Sequence, residues 1–161
     1  MSPATIGPNS VDTPADVRVV REFLAALARA DVDAAAAHLH PEIAWHNVSL
    51  PILRGYPTVT RVLRQLARPG LRFDVIVHHA AGENGVVLTE RTDLLGAGPV
   101  NAEFWVCGTF ELRDGKIAVW RDYFSVRDVF RGIAVGVVRA VTGRRGGRGT
   151  GYLSEAAALD A

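Results

Sequence analysis

The sequence predicts an α+β fold, and three observations predict it. Apolar residues recur at helical spacing as far as Pro69-Gly70, and at strand spacing from Leu71 to Phe124. The strand-like runs are joined by short, Gly-rich connections, which makes neighbouring strands antiparallel. Helices first and a strand meander afterwards pack as helices on one face of a curved sheet.

The elements follow in order. "DTPADVRVVREFLAALARA" has Asp12 or Thr13 as N-cap and Pro14 in the first turn. Val17, Val20, Leu24 and Leu27 then mark one helical face. A second, short helix, "DVDAAAAHLH", starts at Asp31 and is followed by Pro41. "EIAWHNVSL" is rich in β-branched and aromatic residues and reads as a strand. "YPTVTRVLRQLAR" is a third helix with Val59, Val62, Leu63 and Leu66 on one side. Four strands come next: "LRFDVIVHHAA", "GVVLTERTDLL", "VNAEFWVCGTFEL" and "KIAVWRDYF". Gly82–Gly85, Gly96–Pro99 and the hairpin dipeptide Asp114-Gly115 separate them. A last apolar helix is expected from Val126 to Val141, packed on the domain. Residues 1–12 read as a flexible leader, 13–142 as one domain, and 143–161, rich in Gly, Arg and then Ala, as a disordered tail.

Composition narrows the function. The chain has 161 residues, 48% of them hydrophobic, and a net charge of +1, which suits one globular domain and gives no basic surface for nucleic acid. The single cysteine, Cys107, reads as a small buried apolar residue and cannot close an internal disulfide. A reduced, cytoplasmic protein is expected. The first residues carry no signal-peptide pattern, and no apolar run is long enough to span a bilayer. The five histidines have no ligand spacing, so no metal is expected.

The chemistry-bearing residues break the strand pattern. In "LTERTDLL", alternation places Val87, Thr89, Arg91 and Asp93 on one face. In "VWRDYF", Trp120, Asp122 and Phe124 share a face, and in "AWHN" so do Trp45 and Asn47. A buried carboxylate needs a partner, and a guanidinium can hold one carboxylate on each side. A structural ion pair and a working site both satisfy this pattern.

W-x-N in "AWHNVSLP", R-x-D in "ERTDLL" and the aspartate of "WRDYF", in that order and spacing, resemble the limonene-1,2-epoxide hydrolase family. The resemblance runs from about Thr13 to Val141, and "LTERTD…FWVCGTFEL…DGKI…WRDYF" is similar to its mycobacterial branch. It implies the cone of nuclear transport factor 2-like proteins: a strongly curved mixed sheet around a deep apolar pocket. It also implies a cofactor-independent enzyme that adds water directly to a lipophilic epoxide and releases a vicinal diol. Asp122 would be the general base, Asp93 the general acid, Arg91 their bridge, and Asn47 a holder of the water. A homodimer is implied as well. Trp45 stands where the family usually has tyrosine; an indole offers one donor and no acceptor. Alternation suggests Trp45, Leu50, Leu53, Trp105, Trp120 and Phe124 as pocket walls. An isomerase or cyclase of the same fold, and a non-catalytic carrier of lipophilic ligands, are the alternatives.

Overall fold

The computed structural model describes residues 14–48, 50–125, and six positions beyond, 127, 130, 133, 134, 137 and 138. Its elements are α1 (Ala15–Ala28), α2 (Val32–Ala37), β1 (Leu39–Asn47), β2 (Leu53–Arg54), α3 (Tyr56–Leu66), β3 (Leu71–Glu83), β4 (Val86–Ala97), β5 (Val100–Arg113) and β6 (Lys116–Phe124). The six strands form one curled, open sheet in the order β2-β1-β6-β5-β4-β3. β1 and β6 run parallel and the other neighbours antiparallel, so the sheet is mixed.

The helices bury the faces that their spacing marks. Val17, Val20, Phe23 and Leu24 of α1 are almost fully covered, and α1 packs chiefly on β3. They meet Val75, Val87, Phe110, Ile117 and Trp120 from the inner face of the sheet. Phe23 sets its edge against Trp120, with ring centroids 5.0 Å apart, and Trp120 stacks on Phe110 at 6.1 Å. Each such aromatic pair contributes about 0.5–1.5 kcal/mol beyond its buried area.

Several boundaries differ from the sequence reading. The N-cap of α1 is Pro14, and Asp12 and Thr13 lie outside the described residues. α2 stops at Ala37 with His38 as its C-cap, so Leu39 and His40 belong to β1, which runs on through Pro41. Leu39 is drawn into the strand by pairing with Ile117, and both side chains are buried. β1 ends at Asn47; Val48 turns, Ser49 lies outside the described residues, and the chain returns as the two-residue β2. β3 continues through Gly82 to Glu83, and its hairpin to β4 turns on Asn84-Gly85, with φ of 52° and 77°. Asp114-Gly115, at 51° and 71°, turns β5 into β6 as expected; positive φ at both central residues matches the strand twist.

The six described positions past Ser125 are helical, as expected for that segment. Their apolar side chains are not packed away, however: Phe130, Ile133, Val137 and Val138 are exposed. Val126 and Val141, the leader at 1–12 and the tail at 143–161 lie outside the described residues. Among the described residues no helix is long and apolar enough to cross a membrane.

Candidate active site

β4 alternates as its sequence demands. Val87, Thr89, Arg91 and Asp93 are buried, while Val86, Leu88, Glu90 and Thr92 are partly or fully exposed. β5 lies between β4 and β6, so the Arg91 side chain must cross it to reach Asp122. Gly108 pairs with Thr89 on one side and with Asp122 on the other. A Cβ on Gly108 would collide with the Nη1 of Arg91 and lie 2.6 Å from Thr89 Oγ1. Glycine here opens the passage for the guanidinium.

Arg91 is fully buried and is the largest such side chain of the described residues. Its Nε and Nη2 donate to Asp93 Oδ1 and Oδ2 at 2.8 and 3.1 Å, a two-pronged grip. Nη2 also stands 2.8 Å from Asp122 Oδ1. Nη1 donates to Thr89 Oγ1 at 3.4 Å. Asp93 and Asp122 are themselves 5% and 4% exposed, so the three charges share one buried site. The sequence-predicted Arg91, Asp93 and Asp122 are therefore brought together.

Burial and charge compete at each member. Burial raises the pKa of Asp93, against the pull of Arg91, and the charge of Asp122 raises it further. Burial likewise raises Asp122, against Arg91 and then the indole N–H groups of Trp120 and Trp45. For Arg91, burial works against the charge, but Asp122 and then Asp93 outweigh it, so it is held more firmly protonated. A net excess of one carboxyl over the guanidinium favours one proton shared by the pair.

β1 supplies the remaining groups. Asn47 and Trp45 pair in register with Asp122 and Trp120, and Val48 N–H donates to the Asp122 carbonyl at 3.0 Å. Asn47, half-buried, thus stands next to Asp122 in the sheet. Trp45 and Trp120 are buried and stack face to face, 4.3 Å apart and 6° from parallel.

The other expected wall residues divide. Leu53 pairs with Trp45 and packs half-buried against the core. Phe124 is half-buried and touches Phe104, centroids 5.7 Å apart. Leu50 is 52% exposed in the turn after β1. Trp105 is a correction: it pairs with Thr92, not with Arg91 or Asp93, and so faces the outer side of the sheet. It is 53% exposed and donates to Glu90 Oε1 at 3.1 Å. Its neighbours Phe104 and Val106, opposite Asp93 and Arg91, are the side chains that share the site's face, and the sequence reading missed both. Cys107 is also on the outer side and half-buried, not a core residue. A groove of about 520 Å³ lies elsewhere, on α3, lined by Tyr56, Thr60, Arg61, Arg64 and Arg68 among others, far in sequence from the acid pair. Among the described residues no group of His, Cys, Asp or Glu could hold a metal ion.

The curled sheet with helices on one face belongs to the nuclear transport factor 2-like class. Proteins of that class from Cytophaga hutchinsonii and Burkholderia pseudomallei superpose with TM-scores of 0.60 and 0.65 at 19% and 17% identity, each over 75% of this chain and 98% of the other. Within it, the chain belongs to the limonene-1,2-epoxide hydrolase family, whose catalytic domain matches residues 14–135, and is by that membership an enzyme of the epoxide hydrolase type. Epoxide hydrolase EphG of Mycobacterium tuberculosis is 42% identical over 123 residues, 76% of this chain and 81% of the relative. The structure of an M. tuberculosis epoxide hydrolase of the same type matches with a TM-score of 0.77 and 40% identity, over 81% of this chain and 98% of that one.

Proposed function

We propose that the protein hydrolyses a lipophilic epoxide to a vicinal diol in one step, without a cofactor, using Asp93, Arg91 and Asp122. The observation that carries the proposal is one buried guanidinium contacting both carboxyl groups, 2.8 Å from each. Opening an epoxide needs a proton delivered to oxygen and a nucleophile on the far side of carbon. Asp93 donates that proton, and Asp122 accepts one from the attacking water, which Asn47 helps to hold. Like charge close by keeps the two acids from ionising together, so one stays protonated while its neighbour is ionised. Each proton transfer contributes about 10²–10⁴ in rate. Turnover leaves the proton on Asp122 and Asp93 ionised, and the cycle closes when that proton returns to Asp93, with Arg91 in contact with both acids.

Residues 13–142 form the working domain in this reading, and the apolar neighbours Trp45, Leu53, Trp120, Phe124 and Phe104 line the space for the substrate. The protein acts as a cytoplasmic homodimer. The test is diol formation from a panel of terpene, fatty and steroid epoxides by the parent, Asp93→Asn and Asp122→Asn. Both variants should lose at least about 10²-fold in turnover. A single turnover in ¹⁸O-water should place the label in the diol. Label appearing first on an enzyme carboxylate rules out direct attack by water, and binding of intact epoxide without diol identifies a carrier.

A further inference from the structure

Three buried polar atoms of the described residues have no aligned hydrogen-bond partner: Trp45 Nε1, Trp120 Nε1 and Asp122 Oδ1. Two are donors, one is an acceptor, and all three belong to one cluster. Trp45 and Trp120 are cross-strand partners, stacked at 4.3 Å, and Asp122 follows Trp120 on the same face of β6. Buried donors left unsatisfied cost about 1–3 kcal/mol each, so a pair of them beside one carboxyl calls for a function.

We propose that the two stacked indoles are positioning residues that hold Asp122 as the anion, making it, and not Asp93, the acid that is free to take a proton. The proposal rests on the acid–base reading above and adds what breaks the symmetry between the two acids. Arg91 alone does not break it in this direction. Its doubly bonded grip is on Asp93, while its contact with Asp122 is a single one without hydrogen-bond alignment. By that criterion Asp93 would be the preferred anion. The indoles oppose it: two buried N–H groups without another partner lie on the face of Asp122, whose Oδ1 is itself unpaired, and donors near a carboxyl favour its charged form, whereas the bonds to Asp93 come from Arg91. The charged groups facing Asp122 are Arg91 and, beyond it, Asp93, both from β4. β5 presents Gly108 opposite Asp122 and β1 presents Asn47, neither of which ionises. An indole in place of a hydroxyl at position 45 suits this role, because it donates and cannot accept, so it never competes for the proton.

The test replaces Trp45, then Trp120, with 3-benzothienylalanine, which keeps the fused ring and exchanges N–H for sulfur. Trp45→Phe and Trp120→Phe serve as a second pair. ¹³Cγ-aspartate NMR follows each carboxyl through a pH titration, with Asp93→Asn and Asp122→Asn assigning the signals. Loss of either N–H should raise the proton affinity of Asp122 by roughly tenfold. The acid limb of the turnover profile should move to higher pH by the same factor, with a smaller change in the plateau rate. An Asp122 titration and an acid limb that stay in place in all four variants overturn the indole role. Full turnover by Asp122→Asn would instead overturn the acid–base reading, whatever the titrations show.

Discussion

Gly108→Ala sets two elementary effects against each other. Backbone entropy alone favours alanine, because glycine inside a strand costs about 0.5–1 kcal/mol relative to it. The structure predicts the opposite sign. The added methyl would collide with Arg91 Nη1, stand 2.6 Å from Thr89 Oγ1 and 3.0 Å from Phe110 Cε2. Phe110 is fully buried, and Arg91 is tied to Asp93 by two bonds and to Asp122 by an ion pair. The guanidinium can retreat only by giving up a carboxylate. Overpacking of this kind costs about 1–3 kcal/mol, and parting a buried ion pair about 3–5 kcal/mol. The net expectation is a loss of about 1–4 kcal/mol after the entropic gain. Urea unfolding followed by fluorescence measures it, and diol formation by the same samples should fall with it. A Gly108→Ala protein as stable and as active as the parent would refute the idea that the missing side chain makes room for Arg91.

Arg91→Met should lower stability by about 3–5 kcal/mol at pH 8, because two acids are left buried without a counter-charge. The loss should shrink as pH falls, because both acids have raised pKa values in the folded protein and their protonation removes the uncompensated buried charge, as read from urea midpoints across the pH range. Asp93 has a raised pKa in the folded protein, so its contribution to stability is present below the ordinary 3.8 and is lost as pH rises through the folded value. Asp93→Asn removes that loss, so the melting temperature of the variant relative to the parent should climb as pH increases above 4. Both acids being raised, the limbs of the turnover profile should both lie above the ordinary carboxylate range, and they describe the pair rather than either residue. Trp105→Ser should leave turnover within about twofold of the parent, since the ring faces away from Arg91 and surface changes cost under about 0.5 kcal/mol.

Period-two alternation was enough to place Arg91 with Asp93 and Asp122 with Trp120, because β4 and β6 each have one wet and one dry face. It failed at Trp105, where Phe104, Trp105 and Val106 are all apolar and the strand has no phase of its own. Only pairing with Arg91 and Thr92 shows which of the three points inward. The end of α2 is hidden for a related reason. A run of alanines followed by Leu39 looks helical, and it is Ile117, from the far end of the domain, that takes Leu39 into a strand. The two-residue β2 is too short to show any period. The Asn84-Gly85 turn was legible as a dipeptide, but Gly82 drew the break forward to the wrong glycine. Gly108 looked like one more strand residue, because nothing local reveals that an arginine from the next strand passes over it.

The parallel pairing of β1 with β6 has a consequence for biogenesis. Asp122 and its partners in β1 are joined only when the first and last strands meet, and closing so large a loop is among the slow steps of folding. Before β6 joins, Arg91 has only its β4 partners Asp93 and Thr89, and the inner face lacks the Trp120 that Phe23 and Trp45 pack against. A chain arrested before Val119 therefore exposes greasy surface to chaperones and proteases, and quality control of this protein should depend on the emergence of its final strand.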